Sequence, residues 1–158
     1  MNILIIGCSS GIGQSVTYNF ANDNELILVG RSINRLKIVA DKAKSHGALK
    51  TKIIEYDLSN DIKVLINNLR NYHIDLFINM ASASSRLRDN NYPTNILIRN
   101  IYIDLINPFL LAEWLNKKNN NIKIIFISSI LSRIQTSNRQ IYSSVKILHE
   151  KFLAKLNC

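Results

Sequence analysis

Cysteine occurs only twice in the 158 residues, as Cys8 and Cys158, and two thiols at opposite ends make neither a disulfide framework nor a metal-ligand spacing. Histidine is nearly as scarce. His46, His73 and His149 stand singly, each expected as a surface or packing residue, so no metal site is expected. Long apolar runs are missing too: no stretch approaches the length that crosses a bilayer. The first apolar run is interrupted at Gly7 after four residues and has no basic leader, which argues against a secretory signal peptide. A cytoplasmic protein with no membrane contact is expected. Acidic residues are few, 11 against 20 Lys and Arg, for a net charge of +9. The basic residues are spread along the chain, with Lys117 and Lys118 the only adjacent pair, and no nucleic-acid motif accompanies them. Such a diffuse surplus fits coding bias toward Ile, Asn and Lys, gives no nucleic-acid partner, and would still attract an anionic ligand. No internal repeat is present.

What is there is a core-forming chain, 47% hydrophobic, of a length that argues for a single domain over 1–158. Short apolar runs at 3–6, 26–29, 52–56, 75–79 and 123–128 read as strands buried on both faces. Helices are predicted over 13–21, 33–45, 61–69, 95–116 and 141–156. Alternation of this kind implies right-handed crossovers and a doubly wound parallel sheet, with a ligand crevice at the carboxyl ends of the strands. The Asn-rich stretch 117–121 is too short for a domain linker.

Three clusters of residues lie at those strand ends. The first run ends in Gly7-Cys8-Ser9-Ser10-Gly11-Ile12-Gly13. Glycines there allow a tight turn, close approach of a pyrophosphate, and close packing of the helix on the strand, while the helix N-terminus offers free amides to the phosphates. The second strand ends in Gly30-Arg31-Ser32. An acid at this place suits the ribose hydroxyl of NAD, whereas Arg31 suits the 2′-phosphate of NADP, with Arg35 one turn on as a second contact. The third cluster is Ser129 after the last apolar run, with Tyr142 and Lys146 four residues apart. On a helix those two side chains share a face. A lysine ammonium beside a phenol favours the phenolate, and a serine hydroxyl can both donate to and accept from a reacting oxygen.

Taken together, these residues resemble a short-chain dehydrogenase/reductase of the classical type, over the whole chain. Gly7, Gly11 and Gly13 match the family's glycine pattern, with Ile6 where Thr is usual. Asp57 resembles the acid after the third strand that contacts adenine. The run Ile78-Asn79-Met80-Ala81-Ser82 resembles the Asn-Asn-Ala-Gly motif; its first Asn falls on Ile78 or Asn79 depending on register, and Ser82 replaces its Gly. Ser129, Tyr142 and Lys146 match the catalytic serine, tyrosine and lysine in order and spacing. Counting back from Phe109, the fourth catalytic residue, an Asn in the family, falls on Asp104; Asn107 is the alternative if the helix is shifted.

The resemblance implies a Rossmann-type sheet in strand order 3-2-1-4-5 with helices on both faces, lacking the last two family strands, so that the fifth strand becomes an edge. It implies a cofactor set of Gly7, Ser9, Ser10, Gly11, Ile12, Gly13, Arg31, Ser32, Asp57, Leu58, Asn79, Ala81, Tyr142 and Lys146, with NADP(H) preferred over NAD(H). The expected activity is hydride transfer between NADP(H) and a small carbonyl or alcohol substrate, Tyr142 acting as general acid or base. Asn79 is expected to steady the sheet, and Arg86 and Arg88 to be solvated or to meet an acidic substrate. A homodimer or higher oligomer is expected through the helices 95–116 and 141–156. The alternative reading is a non-catalytic NADP(H)-binding protein serving redox sensing or as a partner subunit. A basic nucleic-acid module rests on charge alone.

Overall fold

The computed structural model describes residues 1–83, 93–134 and 139–156. Its strands are β1 Asn2–Ile6, β2 Glu25–Gly30, β3 Lys50–Glu55, β4 Leu76–Asn79 and β5 Lys123–Phe126. All pair in parallel, in the order β3-β2-β1-β4-β5. The helices are α1 Gly11–Asn19, α2 Ile33–Ser45, α3 Ile62–Leu69, α4 Thr94–Ile101, α5 Asn107–Lys118 and α6 Gln140–Leu156.

The alternation of side chains along β1 explains the two layers. Successive residues of a strand point to opposite faces. Ile3 and Ile5 therefore join Leu26, Leu28, Leu36 and Val39 in one core, beneath α2, while Leu4 and Ile6 join Phe77, Leu65 and Leu111 in the other, beneath α3 and α5. In the central strands β1 and β4 neither face meets water, which is why they read as unbroken apolar runs, whereas the edge strands β3 and β5 expose part of their residues. Phe77 is fully buried and meets Phe126 edge-on at 5.9 Å between ring centroids.

Most boundaries shift by one or two residues, and two of the departures from the sequence prediction have identifiable reasons. β5 ends at Phe126 rather than 128 because its neighbour β4 ends at Asn79; the last bond across is from the Ile127 N–H to the Asn79 carbonyl, 3.2 Å. The helix predicted over 95–116 is interrupted by a π-helical turn, Tyr102–Ile106. Pro108 accounts for it. In a regular helix the N–H of residue 108 would bond the carbonyl of residue 104, but proline has no N–H and its ring crowds that carbonyl. The Asn107 N–H instead reaches back five residues to the Tyr102 carbonyl. Such widened turns recur at functional sites. Among the described residues no helix is long and apolar enough to cross a membrane.

Candidate active site

The crevice forms where the sheet order reverses, between the carboxyl ends of β1 and β4. Gly7 leaves β1 at φ +83°, and a Cβ there would sit 2.6 Å from the Ala81 nitrogen and 2.7 Å from the Met80 carbonyl carbon. A Cβ on Gly13 would run into the Gly7 carbonyl oxygen, whereas one on Gly11 would meet no protein atom. Two of the glycines are thus required by the protein itself, and the third faces open space. Ser10 caps α1, its hydroxyl accepting the Gly13 N–H at 3.1 Å.

Beside this turn lies a cavity of about 170 Å³ whose lining includes Gly7, Ser9, Ser10, Gly30, Arg31, Arg35, Asp57, Leu58 and Ala81. Ile12 is exposed in the first turn of α1, and Ser32 caps α2 by accepting the Arg35 N–H at 3.5 Å. Asp57 is held from two sides: its Oδ1 accepts the Ser59 N–H and hydroxyl, at 2.9 and 2.8 Å, and its Oδ2 accepts from the Arg99 guanidinium at 2.7 Å. Burial opposes its charge, yet the Ser59 bonds and the charges of Arg99 and Arg31 prevail and hold the carboxyl below its usual range.

Further along the crevice the third cluster assembles. Ser129 follows β5, and its Oγ accepts the Leu131 N–H at 3.2 Å, capping a 3₁₀ turn, Ile130–Ser132. Glu150 ties the flanks of that turn, accepting from the Ser128 and Ser132 hydroxyls at 2.6 and 2.7 Å. Tyr142 and Lys146 both lie on α6, with the ammonium 5.5 Å from the phenol ring centroid. Lys146 is only 5% exposed, and its Nζ donates to the Ile127 carbonyl at 2.7 Å. Burial lowers its pKa below the usual lysine value, with the nearby Asp104 charge acting in the opposite direction. Asp104, 1% exposed on the π-helical turn, accepts the Ala83 N–H on Oδ1 at 2.6 Å. Asn79 accepts the Ala81 N–H at 3.3 Å and is buried at the end of β4.

The structure thus gathers Asp104, Ser129, Tyr142 and Lys146 around the ends of β4, β5 and α6, and the glycine loop, Arg31, Asp57 and Leu58 around the cavity. Asn107, the alternative to Asp104, is committed elsewhere: its amide donates to the Leu58 and Asn60 carbonyls at 2.6 and 2.8 Å, bracing the loop after β3. Arg86 and Arg88 lie outside the described residues. Sequence reasoning did not find Arg99, Glu150 or the buried role of His149. Their partners lie 42, 22 and 45 residues away along the chain, and no local spacing announces such pairs.

The whole chain, residues 1–158, matches the family model described as short chain dehydrogenase. The chain belongs to that family. Among curated proteins it is similar to 11-beta-hydroxysteroid dehydrogenase-like 2 of Arabidopsis thaliana, 31% identical over 98% of this chain and 53% of the relative. It is also similar to 11-beta-hydroxysteroid dehydrogenase-like 5 of the same plant, 27% identical over 91% of this chain and 39% of the relative. The chain therefore spans about half the length of these relatives or less. Its fold resembles that of a bulky-bulky ketone specific alcohol dehydrogenase from Comamonas testosteroni, with a TM-score of 0.86 at 22% identity, covering 98% of this chain and 69% of the other. It also resembles a short-chain dehydrogenase from Sphingobium yanoikuyae in complex with NADPH, with a TM-score of 0.84 at 22% identity, covering 98% of this chain and 65% of the other.

Proposed function

We propose that the chain acts as one NADP(H)-binding domain that exchanges a hydride between the dinucleotide and a carbonyl or alcohol substrate, with Tyr142 as general acid and base. The observation that carries this reading is the buried ammonium of Lys146 beside the Tyr142 ring, on the helix that follows Ser129. The two side chains share one face of α6, so a substrate oxygen that meets the phenol lies close to the lysine as well.

The residues present fit a dinucleotide. The turn from Gly7 to Gly13 leaves room for phosphates at the open Gly11, and the α1 N-terminus offers amides to them. Arg31, Arg35 and Asp57 line the cavity, and by the family resemblance Asp57 would meet the adenine. With no acid following β2 to meet a 2′-hydroxyl, these two arginines favour NADP(H) over NAD(H). When bound, the nicotinamide supplies or accepts the hydride. In the reducing direction Tyr142 gives its proton to the substrate oxygen as negative charge develops there, and in the oxidising direction it takes that proton back. Ser129 donates to the same oxygen. Lys146 stands beside the phenol, anchored on the Ile127 carbonyl, and Asp104 fixes the backbone after β4 at Ala83. The chain forms a homodimer or larger in this reading, since Leu110 on α5 and Ile147 and Leu148 on α6 present exposed apolar side chains.

The test is loss of reduced-nicotinamide absorbance across a panel of ketones and aldehydes, with Tyr142→Phe as the control. Expected is turnover with some member of the panel, lowered about 10²- to 10⁴-fold by the substitution, with NADPH binding retained. NADPH binding without any Tyr142-dependent turnover would instead support the non-catalytic reading.

A further inference from the structure

His149 is one turn beyond Lys146 on α6 and is 2% exposed. Its Nε2 lies 2.6 Å from the backbone carbonyl oxygen of Asp104. A carbonyl only accepts, so Nε2 carries the hydrogen of this bond and Nδ1 is the bare nitrogen of the ring. Nδ1 is buried and has no partner among the described residues. The ring is boxed by aromatics, edge-on to Phe126 at 5.0 Å and tilted to Phe109 at 5.7 Å. The carbonyl it holds belongs to the residue whose usual helical donor, the N–H of residue 108, is absent because residue 108 is proline. Asp104 meanwhile sends its carboxylate to the Ala83 N–H. One imidazole therefore links α6, which carries Tyr142 and Lys146, to the widened turn that fixes the loop after β4.

We propose that His149 is a positioning residue for the proton transfer: by donating to the Asp104 carbonyl it holds the π-helical turn against α6, and so keeps Asp104 on Ala83 and the Tyr142 and Lys146 face of α6 in register with the backbone after β4. The inference rests on the hydride-transfer reading, but its geometric part is independent of turnover. The titratable groups facing the ring are Asp104 on the π-helical turn and Lys146 on α6, while α5 and β5 present only Phe109 and Phe126. A hydrophobic residue of similar size would fill the space yet leave the carbonyl without this donor. Glutamine would restore an N–H at about the same reach.

The experiment uses the full chain, its His149→Leu variant and its His149→Gln variant. Three quantities are measured: the NADPH dissociation constant, kcat with the best carbonyl of the panel, and the hydrogen-exchange rate of the Ala83 amide. Expected for H149L is a fall in kcat of about tenfold or more with NADPH affinity weakened far less, and faster exchange at Ala83; H149Q recovers both. Unchanged kcat and unchanged Ala83 exchange in H149L overturn the proposal. A parent protein without turnover overturns the hydride-transfer reading alone. Ala83 exchange then decides for His149, faster in H149L and restored in H149Q if the proposal holds, and equal in all three if it does not. Should H149L fail to fold, nitrogen NMR of the parent imidazole decides: an Nε2–H ring with bare Nδ1 supports the proposal, and the opposite tautomer overturns it.

Discussion

The nucleotide end and the reacting end of the crevice are built on different plans. At the nucleotide end the phosphate turn is local: Gly7, Ser10 and Gly13 make their turn and cap within seven residues of one another, while long-range bonds are confined to its Asp57 flank. The reacting end is assembled from afar. Ala83 is held by Asp104, Asp104 by His149, and Lys146 by the Ile127 carbonyl, with chain separations of 21, 45 and 19 residues. A local device tolerates change elsewhere in the chain, whereas a site pinned by long-range bonds to backbone carbonyls depends on every element that supplies one. The difference teaches that cofactor affinity and chemistry can be lost separately in this fold.

The sharpest way to break the local end is Gly7→Ala. A side chain at φ +83° with its Cβ driven into Met80 and Ala81 should cost about 3–5 kcal/mol, read as a large drop in the urea midpoint and loss of NADPH binding; near-parental stability would show that the turn can relax. Next is Phe77→Ala, which removes a fully buried ring from beneath both ends and should cost about 3–5 kcal/mol while leaving the NADPH contacts intact in whatever protein remains folded. Asn107→Ala strips two donors from the loop after β3. It should destabilise by about 2–3 kcal/mol and weaken NADPH binding more than it lowers kcat. Arg31→Ala tests recognition without touching the core: a charge-assisted bond of about 1.5–3 kcal/mol predicts NADPH binding weakened by about ten- to 150-fold and NADH binding little changed. Equal weakening of both dinucleotides would remove Arg31 from any role at a 2′-phosphate.

The smallest effect expected is on pH dependence, and it belongs to the reacting end. The folded protein pushes the His149 pKa below its usual value, first through burial and then through the Lys146 charge, against the favourable Asp104 interactions. The unfolded chain then binds the extra proton first as pH falls below about 6.5. Stability should therefore decline from that point down to the folded-state pKa and be unaffected by this group above pH about 7. Thermal midpoints measured between neutral and mildly acid pH check this, and His149→Gln should flatten that part of the curve.

The residues that could be read from sequence are those whose role is set by near neighbours. Five apolar runs gave five strands, with ends displaced by one or two residues where a partner strand stops short, as at Phe126. The glycine turn and the spacing of Tyr142 and Lys146 on one helix were legible because helical and turn geometry is local. The π-helical turn was not read, although Pro108 was in plain view, because a proline near a helix start is compatible with either a break or a continuing helix. The engagement of His149 was hidden for a different reason. A lone histidine on an apolar face carries no periodic signal, and its carbonyl partner becomes visible only when α6 packs against the earlier helix.

Asp104 and Asn107 stand three residues apart on one continuous rod, yet they are fastened to opposite banks of the crevice: the first to the backbone after β4, the second to the backbone after β3. Any sliding of that rod must drag both banks together. Filling the purine side should therefore stiffen the proton-handling side through the shared helix, over and above whatever the ligand touches directly.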